Sequence, residues 1–145
     1  MGKRRKARES ALHILFQMEF NDSPAEDLIV RYWQGRRADK DIKDYSRWLV
    51  SQVDSHHEEI DRLIQDVSEH WSLSRMAVVD RNILRVAISE FLYEDNVAPA
   101  VIIDEAIEIA KKYSGPDAAQ FINGVLDAVR KSLVAKAGEE SAEDG

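Results

Sequence analysis

A chain of 145 residues with 44% hydrophobic and 32% charged side chains can build one globular domain with a real core, and is too short for two comfortable ones. Cysteine is absent, which excludes disulfides, thiolate zinc sites and cysteine nucleophiles and fits a reducing cytoplasm. No apolar run approaches the ~18 residues of a membrane span, the amphipathic N-terminus is no secretory signal, and a net charge of −7 argues at first against a nucleic-acid ligand.

Strand signals are missing, and helical periodicity runs throughout. A first helix is predicted from about Lys3 to Phe20, with Ala11, Leu12, Leu15 and Met18 facing inward. Ser23-Pro24-Ala25-Glu26 reads as a capping box that starts a short helix through Leu28, Ile29 and Tyr32, ended by Gly35. From about Asp39 to Trp71 a long stripe follows, from Ile42 to Val67. The polar segment Asp54 to Glu59 interrupts it and predicts a break or kink.

The segment Met76 to Tyr93 is apolar on more than one face, the mark of a central helix. Pro99 opens another helix, with Ile102, Ile103, Ala106 and Ala110 inward, and Gly115-Pro116 ends it. Asp117 reads as the N-cap of a last helix that buries Phe121 or Ile122, then Val125, Leu126 and Val129. Gly124 inside it predicts the close approach of a helix or ligand. Residues 138–145 are small and acidic, the composition of a disordered tail. The expectation is an all-α bundle of six to seven helices, one domain over 1–137, with helical groups at about 1–71 and 76–137.

Charge is unevenly spread. Lys3, Arg4, Arg5, Lys6 and Arg8 stand against Glu9 alone, giving +4 over residues 1–9 and −11 over the rest. Guanidinium groups grip phosphate bidentately, and a helix start adds its own positive end. The residues alone leave two readings open, a phosphate-binding arm and a solvated, fraying terminus; the weight of arginine favours RNA. Trp33, Trp48 and Trp71 could stack on bases, but their places beside apolar stripes favour packing. His56-His57 do not converge on a metal, because adjacent helical side chains point about 100° apart. Asp104, Glu105 and Glu108 read as a solvated face, and no nucleophile elbow, phosphate loop or H-E-x-x-H is present. Neither a catalytic role nor a cofactor or metal is expected. Asp80, at the start of the central helix, fits either the helix dipole or the rim of a docking surface.

Three blocks carry a resemblance. Arg4-Arg5-Lys6-Ala7-Arg8-Glu9-Ser10-Ala11-Leu12 with Leu15-Phe16 resembles the opening of the bacterial transcription antitermination factor family NusB. So do Asp80-Arg81-Asn82-Ile83-Leu84-Arg85 with Glu90-Phe91-Leu92-Tyr93, and the stretch Pro99 to Asp127, which includes Phe121-Ile122-Asn123-Gly124. The blocks are in order from about Arg4 to Val129, whereas Asp22 to Leu73 is similar only in helical pattern.

The resemblance implies an all-α fold that binds boxA RNA of ribosomal RNA leaders together with NusE, a small-subunit ribosomal protein in its second role. It implies joining RNA polymerase in an antitermination complex in the cytoplasm. By the same resemblance Arg4, Arg5 and Arg8, flanked by Lys3 and Lys6, match an RNA-binding arm. Asp117 and Phe121 match a second RNA-side patch, and Phe16 and Asp80 match the NusE face. Phe16 stands where many relatives have tyrosine, Asp80 where some have glutamate, and His13 where glutamine is common. For Phe121, stacking on a base and burial in the core are both open. The same fold accompanies some ribosomal RNA cytosine methyltransferases, but no cofactor-binding domain is expected to follow here. The alternative is a helical protein-interaction module without RNA binding, of which a homodimer is one form.

Overall fold

The computed structural model describes residues 2–68 and 71–144, with side-chain surroundings as far as residue 139. Among these residues there are six α-helices and no strand: α1 (Lys3–Met18), α2 (Ala25–Trp33), α3 (Lys40–Val67), α4 (Val78–Tyr93), α5 (Pro99–Tyr113) and α6 (Pro116–Asp144), with a short 3₁₀ turn at Leu73–Arg75 between α3 and α4.

Helix α1 buries Ala7, Arg8, Ala11, Leu12, Ile14 and Leu15, a broad stripe at helical spacing. The capping box ahead of α2 does not form. Pro24 takes the cap position in extended backbone, and no side chain caps the helix. That shift moves Glu26 and Asp27 into the first turn, where they meet the positive end of the helix dipole. Gly35 closes α2 at φ 73°, a left-handed turn that favours glycine.

Helix α3 is kinked at His56 (φ −123°, ψ 22°), inside the predicted break. The kink divides its loyalties. Leu49, Val50 and Val53 pack with α1 and α2, while Ile60, Leu63 and Ile64 join α4, α5 and α6. Two apolar clusters result, but their boundary does not follow the chain at residues 71–76: Leu12 of α1 belongs to the second cluster and Val86 of α4 to the first. Each fully buried leucine or isoleucine contributes about 1.5–3 kcal/mol over exposure. Helix α4 is central because it buries residues on several faces, from Asn82 to Glu90.

Three expectations for α6 are corrected. The helix starts at Pro116, so Asp117 lies in its first turn and is not the cap; Gly115, at φ 105°, supplies the turn that proline follows. Gly124 is exposed and a Cβ there would meet nothing within 4 Å, so no helix approaches it. The helix also continues to Asp144, so residues 138–144, expected to be disordered, are helical. Alanine and glutamate are good helix formers, and an existing helix propagates through them without a new nucleus; Gly145 lies outside the described residues.

Candidate nucleic-acid interface

The basic residues of α1 fall on two faces, and the structure treats them differently. Arg8 points inward. Its Nε and one terminal nitrogen donate to the two carboxylate oxygens of Glu90 at 2.7 and 2.8 Å, with the side chains 5% and 1% exposed. The Tyr45 hydroxyl donates to the same carboxylate at 2.7 Å, and burial followed by the Glu90 charge pushes its pKa well above the ordinary value. The resemblance implies that Arg8 contacts phosphate; its guanidinium is instead turned inside the bundle, paired with Glu90 and 3.7 Å from Glu105. Ionic groups almost never stay buried unless paired, so a short basic run can send one arginine inward only where a carboxylate waits.

The others lie nearer the surface. Arg4 is about half exposed, donates to Glu94 at 3.3 Å and lies 3.8 Å over the Tyr45 ring. Arg5 is less exposed and binds Glu105. Lys3 reaches Asp39 and Asp41 at 3.2 and 3.5 Å, with all three side chains exposed. Lys6 is exposed and forms no ion pair among the described residues. Glu105 is therefore not part of a solvated face: the Arg5 hydrogen bond outweighs desolvation and holds its carboxyl below the ordinary range.

The second expected RNA patch opens α6. Asp117 is exposed, and Phe121 is half-buried against the larger apolar cluster while keeping part of its ring accessible. Among the described residues, no hydrogen bond or ion pair joins either to the basic run.

On the expected partner face, Phe16 is 41% exposed and packs against Phe20, itself 71% exposed, with ring centroids 5.2 Å apart. Asp80 accepts a hydrogen bond from Ser114 at 2.6 Å, tying the start of α4 to the end of α5. Glu19, one turn after Phe16, accepts from Arg81 beside Asp80. Arg85 also donates to Glu19 and to Asp61. Burial pushes the Glu19 carboxyl up, but Arg81 and Arg85 outweigh it and hold the pKa below normal.

Reading the sequence alone missed Phe20, although its spacing of four from Phe16 was a visible signal. Nothing local marked Glu90 or Tyr45, which lie 82 and 37 residues beyond Arg8. Of the tryptophans, Trp48 stacks on Tyr45 and Trp33 meets Tyr32 edge-on. Trp71 is 48% exposed, against the expectation of packing, because α3 ends at Val67 and its stripe stops short.

Among the described residues, no helix is long and apolar enough to cross a membrane. Residues 5–131 match the model of the NusB family. The chain is 41% identical over 141 residues to the transcription antitermination protein NusB of Koribacter versatilis (strain Ellin345), covering 97% of each. It is 40% identical to the protein of that name from Rubrobacter xylanophilus, covering 94% of this chain and 96% of the relative. Among solved structures, T. maritima NusB superposes with a TM-score of 0.82 at 40% identity, over 88% of this chain and 90% of that one. A chain from the crystal structure of antitermination factors NusB and NusE in complex with dsRNA gives 0.81 at 29% identity, over 91% and 98%.

Proposed function

The chain belongs to the NusB family, and on that premise we propose that it is an RNA-binding transcription antitermination factor. It binds the boxA element of ribosomal RNA leader transcripts together with NusE and, within the RNA polymerase complex, supports elongation through terminators. The observation that carries this reading is the α1 basic end, with Lys3, Arg4 and Lys6 presented to solvent on a chain whose net charge is −7. A structural neighbour solved with NusE and dsRNA supports it.

Within this reading Lys3, Arg4 and Lys6 meet phosphates directly, and Arg5 does so by exchanging Glu105 for RNA. Arg8 is a positioning residue that fixes the arm to the core through Glu90. Asp117 and Phe121 form the second RNA patch: the accessible edge of Phe121 stacks on an unpaired base, and Asp117 accepts from a base because a carboxylate repels phosphate. Phe16, Phe20 and Asp80 meet NusE. The cytoplasm, where transcripts are made, is the place of action.

The test is a titration of fluorescent boxA RNA and a scrambled control, with and without NusE, at several salt concentrations. The expected result is preference for boxA, enhancement by NusE, and a negative salt slope that shrinks in the Arg4→Ala/Lys6→Ala variant. Negligible, salt-insensitive binding to both RNAs even with NusE overturns the reading in favour of a helical interaction module, whose homodimer sedimentation would detect.

A further inference from the structure

A groove lies between α1, the turn from α2 to α3, and the end of α5. Along one wall the rings of Trp33, Tyr32, His13 and Tyr113 follow one another, with centroids 4.9, 6.3 and 5.5 Å apart. Trp33, Tyr32 and Tyr113 are half-buried and His13 is exposed. His13 meets the Tyr113 hydroxyl at 3.2 Å, and Tyr32 donates to Ser10 at 3.4 Å, which fixes the row against α1.

Cations rim the row. The Arg36 guanidinium lies 4.3 Å from the centroid of Tyr32, and Lys112 lies 5.3 Å from that of Tyr113. Lys6, Arg36 and Arg37 are exposed and form no ion pair among the described residues. The one acid in the lining, Glu9, is already neutralised by Lys112 at 2.9 Å. The left-handed turn at Gly35 brings the two arginines to the rim, where the Arg36 N–H donates to the Trp33 carbonyl at 3.1 Å. On a chain of net charge −7 such a local cationic surplus selects an anion, and an aromatic row among cations selects one that carries flat bases.

We propose that this groove is a stacking platform for two or three nucleotides of single-stranded RNA, with Arg36, Arg37 and Lys6 holding the phosphates and Tyr32, His13 and Tyr113 receiving the bases. The inference rests on the RNA-binding reading above and extends it from the arm along α1. Lys3, Lys6, Ser10 and His13 recur at spacings of three and four and share one helix face, so a strand held by the basic end continues into the groove. His13 suits the task as a neutral ring, since partial desolvation by its neighbours and then the Arg36 charge lower its pKa.

Two variants of the full chain test the platform against fluorescent single-stranded boxA RNA. Arg36→Ala/Arg37→Ala alters only exposed positions in a turn and should reduce the salt slope by about 1.4, at about 0.7 for each single-strand phosphate that is no longer neutralised. Tyr113→Leu should weaken intact RNA by about 5- to 150-fold, the range for one stacked base, and leave an abasic strand of equal length unaffected. Arg62→Ala, an exposed arginine on α3 outside the groove, should bind as the parent does. If the parent binds RNA but both groove variants match it in affinity and slope, the platform is overturned and the RNA reading stands. A loss confined to the arginine variant also overturns it, leaving a phosphate track. If the parent itself binds no RNA, with or without NusE, the RNA reading and the platform fall together.

Discussion

Arg8 and Glu90, 82 residues apart in the chain, form a two-pronged ion pair inside the bundle, with neither side chain more than 5% exposed. The pair binds the helix carrying the basic arm to the central helix, and Tyr45 adds α3 to the same carboxylate. Removing Arg8 leaves the buried Glu90 carboxylate without its counter-ion, held only by the Tyr45 hydroxyl. Arg8→Ala should therefore lower stability by about 3–5 kcal/mol. Glu90→Ala should be milder, because Arg8 keeps Glu105 at 3.7 Å. Urea unfolding of both variants at neutral pH checks the order; equal losses would refute the part given to Glu105.

Acid should weaken the fold through Glu19 and Glu105. Both carboxyls are held below their ordinary pKa, so the unfolded chain binds protons more readily than the folded one. Their contribution is fully present above the ordinary carboxylate range and is lost as pH falls through the depressed values. Urea midpoints measured between pH 7 and pH 3 should decline, and Glu19→Gln should flatten that acid limb.

If the arm binds RNA as proposed, the acids beside it compete with RNA for its cations. Arg4 binds Glu94 at 3.3 Å while half exposed. Exposed or partly exposed pairs contribute about 0.2–1 kcal/mol. Glu94→Gln should accordingly raise RNA affinity by roughly 1.4- to 5-fold at low salt, with the gain shrinking as salt rises. A titration series from low to high ionic strength measures both effects; a loss of affinity would mean that Glu94 orients Arg4 for RNA.

The exposed Phe16 and Phe20 rings should matter to the partner far more than to the fold. Phe20→Ala should leave thermal unfolding within about 0.5 kcal/mol of the parent, as surface changes usually do. It should weaken NusE binding by at least about 1 kcal/mol if the pair anchors the interface. Calorimetric titration with NusE gives the second number, and an unchanged affinity would remove Phe20 from that face.

Gly124→Ala should stabilise the chain by about 0.5–1 kcal/mol, since the glycine sits in a helix with open space at its Cβ. Chemical unfolding decides it. Destabilisation would restore the close approach that the sequence alone suggested.

The helices were legible because each carries its own local instructions: the stripe of α1, the proline opening α5, and the polar interruption that foretold the kink near His56. What was not legible depends on residues distant in sequence. Arg8 reads the same as Arg4 in a row of basic letters, and only Glu90 on another helix separates a buried anchor from a surface cation. Glu105 looked solvated until Arg5 reached it. The groove row joins residues 13, 32, 33 and 113, which no spacing rule connects. The error at residues 138–144 was of another kind: composition suggested disorder, while the helix already running from Pro116 needed only residues willing to continue it.

The kink in α3 couples the two halves of the fold. Because one half of that helix completes the first apolar cluster and the other half the second, neither cluster closes without the same helix being formed. Losing one cluster strips a packing partner from the helix that serves the other. The chain should then unfold in one cooperative step, with amide exchange slowest on both sides of His56 and falling together in denaturant.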